Sequence, residues 1–268
     1  ALPILDPDAV GVLPVCLGKG TKLCDVLTDR TKAYRAVLLL GQVTDTQDAG
    51  GEVISRCEPE RLLALSEDEV RAAVMGFVGP YDQIPPMYSA LKVNGQKLCD
   101  LARAGKTVER KARPVEILSI EIEEICLPRL VMTVECSKGT YIRTLCHDIG
   151  EKLGVGGCME ELTRIRSGNF SIENALTLSE IEELRDAGTL GERIVAVEEL
   201  FPDYPKVYMK EEHDRLVQNG NQFYPDQSTL GEERPEAVRV YDSKGHFIGT
   251  YGYRRERRWY QDRKSTRL

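Results

Sequence analysis

Apolar residues recur at helical spacing in several stretches of the chain, and each stretch is bordered by residues that cap helices. Ser66-Glu67-Asp68-Glu69 has the form of a capping box, in which serine and glutamate side chains bind the first main-chain N–H groups. The apolar positions of this predicted helix are Val70, Val74, Phe77 and Val78, and Gly79–Pro86 ends it. The other predicted helices run from Thr21 to Asp29, from a Thr140 cap through Leu153 to Gly154, and over Leu178–Leu184.

Other stretches have the composition or the alternation of β-strands. Lys32–Gly41 is rich in apolar residues and predicts a strand in the interior of a sheet. Pro114–Ile125 and Leu130–Cys136 alternate between apolar and polar residues, which predicts two adjacent antiparallel strands. Ala237–Tyr241 and Phe247–Tyr251 flank Asp242-Ser243-Lys244-Gly245 and predict a hairpin.

These elements predict an α+β fold with two domains. The larger domain is expected over residues 1–200 and a small β-rich domain over residues 201–261, with a linker at Phe201–Pro205. Residues 1–4 and 262–268 match the translation of common sequencing adapters. We therefore expect these two tails to be non-native and exclude them from the prediction of the fold.

Composition and charge narrow the possible functions. Hydrophobic residues make up 41% of the chain and charged residues 29%, without an apolar run long enough to span a bilayer. The eight cysteines form no Cys-x-x-Cys pair and only three histidines are present, which argues against a zinc site and favours reduced thiols in a cytoplasmic protein. The net charge is −7, but basic residues cluster in Arg103–Arg113 and Arg254–Arg258. An acidic protein with a basic binding face has this distribution, although either cluster alone is also typical of a solvated surface.

Four sequence blocks resemble a known family. They are Leu5–Pro14, Lys32-Ala33-Tyr34-Arg35, Pro86–Lys92 and Cys136–Leu145. In this order and at these separations they resemble the TruB family of tRNA pseudouridine synthases, from Leu5 to Phe170 and more loosely to Gln261. The resemblance implies the pseudouridine synthase fold, with a mixed, mainly antiparallel sheet flanked by helices and a PUA-like C-terminal domain. Family members also carry a leader strand, a helix and a histidine turn before the aspartate; this chain lacks them, so we expect residues 1–268 alone to fold poorly or to lack activity, an expectation that does not extend to the natural protein.

The resemblance also implies the catalytic residues. Asp6 matches the family's catalytic aspartate, although an isolated Asp-Pro is usually a turn. Tyr34 matches the tyrosine that stacks on the flipped base and takes part in proton transfer, although an aromatic residue in a strand is more often core. Arg143 matches the arginine that pairs with the aspartate and keeps it ionised. Tyr141 and Leu162 match pocket residues; Leu162, expected in a helix, carries the weakest signal, because a leucine in a helix is usually plain packing.

The remaining matched positions imply contacts with RNA. The Arg103–Arg113 segment corresponds to the family's RNA-gripping insertion, and the other matched residues have either an RNA contact or a structural role. The predicted RNA-binding residues are Lys22, Tyr88, Lys92, Lys138, Arg103, Arg110, Lys111 and Arg113.

Together these matches imply an enzyme that converts uridine to pseudouridine in the T loop of tRNA, at position 55, without cofactor or metal. The target base must be flipped out of the folded loop to reach the active site. Whether Asp6 attacks the base or the ribose stays open. The alternative is a tRNA-binding or tRNA-folding protein with little or no catalysis. We expect a cytoplasmic monomer whose partner is the T arm of tRNA, with no role at a membrane.

Overall fold

A computed structural model describes residues 9–263 of the chain. These residues divide into two compact units, and each is described by itself below. The first unit contains the residues up to Pro14 together with Thr28–Ala175. The second contains Val15–Leu27 together with the residues from Leu176 onward.

The strands and helices alternate irregularly along the chain. The strands are β1 (Val10–Gly11), β2 (Lys32–Leu40), β3 (Gln42–Thr44), β4 (Val53–Arg56), β5 (Gly79–Gln83), β6 (Lys92–Val93), β7 (Gln96–Lys97), β8 (Arg113–Cys126), β9 (Arg129–Cys136), β10 (Gly157–Ser167), β11 (Phe170–Ser171), β12 (Lys206–Tyr208), β13 (Ala237–Tyr241), β14 (Phe247–Arg254) and β15 (Trp259–Asp262). The α-helices are α1 (Cys24–Thr28), α2 (Pro59–Leu63), α3 (Glu67–Met75), α4 (Leu98–Arg103), α5 (Ile142–Leu153), α6 (Leu178–Asp186) and α7 (Asp214–Gln218). Short 3₁₀ helices cover Gly18–Leu23, Ile172–Asn174, Leu190–Arg193, Val197–Leu200, Glu211–His213 and Pro225–Gln227.

A mixed sheet forms the centre of the first unit, in the order β1-β10-β2-β9-β8-β5, with β11 paired to β10. Only the β1–β10 pair is parallel among these described strands. The apolar run of β2 lies in the middle of the sheet, between β10 and β9. The predicted strand from Lys32 and the predicted antiparallel pair β8–β9 are therefore confirmed.

Helices α3 and α5 contribute to the hydrophobic core of this unit. Fully buried side chains come from β2 and β9 on the sheet and from both helices. They include Ala36, Leu38, Met132, Val134, Val70, Val74, Leu145 and Ile149. The burial of these apolar positions is the main favourable contribution to folding, and it fixes α5 against the sheet.

Helix ends confirm some of the predicted caps and correct others. The Ser66–Glu69 capping box is present at α3, and Gly154 closes α5 in the left-handed conformation with φ of 71°. Thr140 does not cap α5, because its hydroxyl donates to the Ser137 carbonyl and the helix begins after Tyr141. Thr21 likewise caps no helix; it lies inside the 3₁₀ helix that precedes α1, with its hydroxyl on the Gly18 carbonyl.

Four strands of the central sheet were not predicted: the two-residue strands β1 and β11, and the longer strands β5 and β10. The segment expected only to end α3 forms the edge strand β5, which pairs with β8. The segment after Gly156 forms β10, the strand between β1 and β2. Leu162 is therefore a strand residue and not a helix residue, contrary to the expectation from the sequence.

The second unit is built around a small four-stranded sheet in the order β12-β13-β14-β15. The predicted hairpin is confirmed as β13–β14, and the predicted helix at Leu178 as α6. Aromatic rings fill the core of the unit, with Phe223 stacked on Tyr260 at 5.3 Å between centroids. Phe201, in the predicted linker, is buried. The domain boundary at residue 200 stays a prediction. None of the helices within residues 9–263 is long and apolar enough to cross a membrane.

Candidate active site

Arg143 lies at the start of α5 and its guanidinium reaches two loops of the first unit. It is only 8% exposed. Its Nη1 atom lies 3.1 Å from Oδ2 of Asp48 and 3.4 Å from the Thr46 carbonyl oxygen. Its Nη2 atom donates to the Tyr88 carbonyl oxygen at 2.7 Å. A planar guanidinium whose two terminal nitrogens, Nη1 and Nη2, are both hydrogen-bonded has one orientation, so these contacts fix the Arg143 side chain in place.

The loop that carries Asp48 is built to present one carboxylate oxygen to Arg143. Oδ1 of Asp48 accepts hydrogen bonds from the Thr46 hydroxyl at 2.7 Å and from the Gly50 N–H at 3.2 Å. Oδ2 faces the arginine. Each oxygen therefore has its own donors, which orients the carboxylate.

The same loop is anchored to strand β10 and to helix α5. The Ala49 N–H donates to the Met159 carbonyl, and the Met159 N–H donates to the Gln47 carbonyl. Gln47 takes a φ of 66°, and its side-chain oxygen accepts the Thr144 hydroxyl at 2.7 Å. Strand β10 and helix α5 thus hold the loop that carries Asp48, and α5 also carries Arg143.

Asp6 and its predicted pairing with Arg143 lie outside the described residues. Tyr34 lies on β2, half-buried, opposite Val134 of β9 and Arg164 of β10. Its ring packs against the hydrophobic core. The base-stacking role of Tyr34 stays a prediction.

The two predicted pocket residues occupy different positions. Tyr141 is the N-cap residue of α5, two positions before Arg143. Leu162 lies on β10 opposite Ala36, and it is 7% exposed within the core cluster. Burial of this kind is compatible with packing, the alternative that the sequence left open, and the pocket role of Leu162 stays a prediction.

The predicted RNA-binding residues are scattered over several elements. Lys22 is in the second unit and exposed, and in the first unit Lys92, Lys138, Arg103, Lys111 and Arg113 are exposed. Lys138 pairs with Asp29 and lowers the pKa of that carboxyl. Arg110 donates to the Pro85 carbonyl at 3.0 Å, so it also braces the segment that leads to Tyr88.

Tyr88 makes a second contact besides its carbonyl bond to Arg143. Its hydroxyl donates to Oδ2 of Asp45 at 3.2 Å, which raises the pKa of Tyr88. The Asp45 loop and the Tyr88 segment therefore touch each other as well as the arginine. This contact does not test the predicted RNA role of Tyr88.

Asp48 was not among the residues predicted from the sequence. The only signal was the polar loop Thr44–Gly51, which contains two aspartates among small residues. Across residues 9–263, no cluster of three or more His, Cys, Asp or Glu side chains could hold a metal ion.

Comparisons with known proteins define the class. Residues 4–142 match the model of the TruB family pseudouridylate synthase N-terminal domain, and residues 143–201 match the tRNA pseudouridylate synthase B C-terminal domain. The protein class is thus the pseudouridylate synthases. Within that class, the chain belongs to the TruB family.

Relatives and solved structures agree with this placement. The chain is 49% identical to tRNA pseudouridine synthase B of Lachnoclostridium phytofermentans, covering 96% of this chain and 86% of that protein. It is 44% identical to the protein of the same name from Alkaliphilus oremlandii, covering 91% and 80%. Among solved structures, a Cbf5–Nop10–Gar1 complex matches with a TM-score of 0.66 at 27% identity, covering 93% of this chain and 68% of that chain. An H/ACA ribonucleoprotein bound to a substrate RNA containing 2′-deoxyuridine matches with a TM-score of 0.65 at 25% identity, covering 93% and 67%.

Proposed function

We propose that the chain converts uridine to pseudouridine in the T loop of tRNA, at position 55. The family and the names of the relatives support the reaction and the class of substrate. The observation that carries the assignment of the site is the buried Arg143, held between the Asp48 carboxylate and the Tyr88 carbonyl. An arginine held in this way can orient and neutralise a second carboxylate without reorganising during the reaction.

Asp6 is the nucleophile in this proposal. Its carboxylate attacks either the ribose or the base of a flipped-out uridine, and the bond from C1′ to N1 breaks. The uracil rotates, a bond forms between C1′ and C5, and the proton on C5 is removed while N1 gains one. Product and substrate are isomers, so the reaction consumes no co-reactant.

The other site residues assist this step. Arg143 keeps Asp6 ionised, because a neighbouring positive charge stabilises the charged form of a carboxyl. Tyr34 stacks on the flipped base and serves in proton transfer, and Tyr141 and Leu162 close the pocket around the base.

The tRNA is bound through its phosphates. The Arg103–Arg113 segment is the main contact, with Arg103, Arg110, Lys111 and Arg113 as its cations, and Lys22, Tyr88, Lys92 and Lys138 contribute further contacts. All eight cysteines are free thiols, which supports a reducing compartment. We propose that the chain acts as a monomer in the cytoplasm.

Pseudouridine mapping on an unmodified tRNA transcript tests this function. Carbodiimide labels pseudouridine, and reverse transcription then stops at the labelled base. We expect one new stop in the T loop with the parent protein in its natural form, no stop with its Asp6→Asn variant, and the same tRNA affinity for both. Asp8→Asn removes a carboxylate two residues further on and serves as the matched control, with the stop retained. Product from Asp6→Asn would refute the assignment of the nucleophile, and bound tRNA without any stop from the parent chain would favour a binding protein.

A further inference from the structure

Gln83 makes two hydrogen bonds to the main chain at the start of α5. It is the last residue of β5 and is 2% exposed. Its Nε2 donates to the Tyr141 carbonyl oxygen at 3.0 Å, and its Oε1 accepts the Tyr141 N–H at 2.8 Å. The carboxamide thus binds the main chain of one residue through its donor and its acceptor.

Tyr141 is the residue at which the position of α5 is set. It is the N-cap, and no side chain caps the helix there. Its carbonyl also accepts the Leu145 N–H at 3.1 Å, the first hydrogen bond of the helix. A displacement of Tyr141 would therefore move the first turn of α5, which contains Arg143.

The strand end that holds Tyr141 leads directly to the other arginine contact. Gln83 is followed by the segment in which the Tyr88 carbonyl accepts Nη2 of Arg143 at 2.7 Å. Residues 83–88 and 141–143 are therefore joined twice, once through Gln83 and once through Arg143. Gln83 holds the start of α5, which carries Arg143, and also leads into the segment that carries the Tyr88 carbonyl. It therefore limits how far Nη2 of Arg143 can move from that carbonyl oxygen.

Strand β5 holds α5 at a second point, farther from the site. Tyr81, two residues before Gln83 and so on the same face of β5, donates its hydroxyl to Asp148. Asp148 lies about two helical turns beyond Tyr141. Of these two contacts between β5 and α5, the one made by Gln83 lies closer to Arg143 along the chain.

We propose that Gln83 is a positioning residue for pseudouridine formation. Its carboxamide fixes Tyr141 and thereby places the Arg143 guanidinium against its acceptors, while Gln83 itself contacts no reacting atom. This inference rests on the proposed function of Arg143. Loss of the carboxamide should slow the chemical step and leave tRNA affinity unchanged.

Gln83→Met tests the proposal, because methionine fills a similar volume without hydrogen-bonding to Tyr141. We expect the single-turnover rate to fall about a hundredfold, the effect of a small displacement in an active site, with the Kd for tRNA unchanged. Ile149→Val is the control: it shortens a buried side chain on the same helix, and should lower Tm by a few degrees with the rate intact. Equal rates for the two variants, or a Gln83→Met effect confined to Kd, would overturn the proposal.

Gln83→Glu provides a test that a general loss of stability cannot imitate. A neutral carboxyl can donate to the Tyr141 carbonyl and accept its N–H, whereas a carboxylate has no donor. Burial raises the pKa of such a carboxyl. The rate of Gln83→Glu relative to the parent chain should therefore rise as the pH falls, while the relative rate of Gln83→Met stays flat.

The ionisable groups near Gln83 do not obscure this comparison. They are Tyr81, which hydrogen-bonds to the Gln83 side chain, Arg113 opposite Gln83 on β8, Tyr141, Arg143 and Asp148 at α5, and Arg110 on the following segment. All of them are present in the parent chain and in both variants, and Gln83→Met, which places no new carboxyl beside Tyr81, shows how much their titration contributes to the ratio of rates. A Gln83→Glu ratio that is as low and as flat as the Gln83→Met ratio at every pH would contradict the positioning role.

Hydrogen exchange separates this inference from the proposed function. If the parent chain makes no pseudouridine, the proposed function fails. Exchange of the Tyr141 amide still reports whether the Gln83 carboxamide holds the main chain of Tyr141. We expect this amide to exchange faster in Gln83→Met than in the parent chain, with the buried amides of β9 unchanged as the internal control. An unchanged Tyr141 exchange rate would show that Gln83 does not hold the start of α5.

Discussion

The two carboxylate oxygens of Asp48 have different partners, and this division sets what a substitution would do. Oδ1 accepts from the Thr46 hydroxyl and the Gly50 N–H, and Oδ2 faces Arg143. Asparagine has one oxygen and one NH₂ group in the same volume, so one of the two sets of donors must then face another donor. Replacing Asp48 with asparagine therefore removes the charge and also disturbs the orientation of either the Thr46–Gly50 loop or Arg143.

Asp48→Asn is expected to lower the single-turnover rate of pseudouridine formation about a hundredfold, because Arg143 loses its charged partner and shifts. The Kd for tRNA should change little, since Asp48 pairs with Arg143 and is not among the proposed tRNA-binding residues. Glu52→Gln removes an exposed carboxylate near the same loop and is the matched control, with the parent rate expected. An Asp48→Asn rate equal to that of Glu52→Gln would show that the ion pair is not needed.

The half-buried carboxyl of Asp148 is expected to make the stability of the fold depend on pH. The single substitution Asp148→Asn isolates this effect. Burial raises the pKa of this carboxyl above its ordinary value, although the hydrogen bond from Tyr81 opposes the shift. A raised pKa means that the folded chain binds this proton more tightly than the unfolded chain. Asp148 therefore stabilises the fold below its ordinary pKa of about 4, and this stabilisation is lost as the pH rises through the raised value.

Asp148→Asn cannot titrate, so it should remove this loss of stability. The difference in Tm between Asp148→Asn and the parent chain is expected to grow in favour of the variant from about pH 4 to about pH 7. Thermal melts of both chains in the same buffers measure it. The capping glutamates Glu69 and Glu180, whose pKa values are lowered, titrate in both chains and cancel in the difference. A difference that stays constant or reverses would contradict the prediction.

At the level of whole elements, the sequence predicts strands well when their burial alternates or is continuous. The sequence of β8 alternates over short stretches on either side of a register shift, and β2 is an apolar run, so both are recognisable. The Ser66 capping box and the Gly154 closure are equally local, because the interacting groups lie within a few residues of each other. Such elements need no information about the rest of the chain.

Strands β5 and β10 could not be predicted on the same grounds. β5 begins with Gly79-Pro80, which signals a turn, yet proline is tolerated because this strand lies at the edge of the sheet. β10 has charged side chains at Glu160, Glu161, Arg164 and Arg166, so no apolar pattern marks it as a strand. Arg164 is nevertheless buried, with its Nε donating to the Val12 carbonyl at 2.6 Å. Both sequences make sense only with their partner strands in place.

The same distinction between local and distant information holds for the site. Arg143 could be predicted because it lies in a block that resembles a known family. Asp48 is separated from Arg143 by 95 residues and lies in a loop with no motif of its own. Gln83 is similarly distant from Tyr141, so the contacts that position the arginine emerge only from the fold.

Gly11 lies where β1 approaches β10 closely, so a substitution at this position tests how much the pairing of the two strands contributes. Gly11 has a φ of 109°, and an added Cβ would lie 2.2 Å from the Arg164 carbonyl oxygen. Gly11→Ala should therefore push β1 away from β10 and break the bond between the Val12 N–H and the Arg164 carbonyl. We expect a loss of several degrees in Tm and a large loss of activity, because the segment leads back to Asp6.

Gly105→Ala is the control for this experiment. Gly105 also has a positive φ, of 69°, but an added Cβ would meet no atom within 4 Å. Both variants carry backbone strain, and only Gly11→Ala carries the steric clash with β10. Equal Tm values for the two variants would show that the close approach of β1 is not important.

For the molecule as a whole, the net charge and the local charge have opposite signs. The chain carries −7 overall, while Arg103–Arg113 contains five cations and one glutamate. Arg103, Lys111 and Arg113 are exposed, whereas Arg110 also donates to the Pro85 carbonyl. Because salt screens charges beyond about 10 Å, the distant acidic residues do little against phosphates that contact this segment.

Lys111→Gln provides the measurement, since Lys111 is exposed and its removal should leave the fold intact. Each phosphate contact releases counterions, so the loss of one contact should reduce the slope of log K against log salt concentration by about 1 and weaken tRNA binding. The single-turnover rate at saturating tRNA should stay the same, because the substituted charge is not in the proposed catalytic set. Arg71→Gln removes an exposed cation that already pairs with Glu67 at 3.6 Å, and the parent slope is expected for it. If both variants leave the slope unchanged, the Arg103–Arg113 segment does not bind phosphate through Lys111; if both reduce it equally, binding depends on the overall charge and not on this segment.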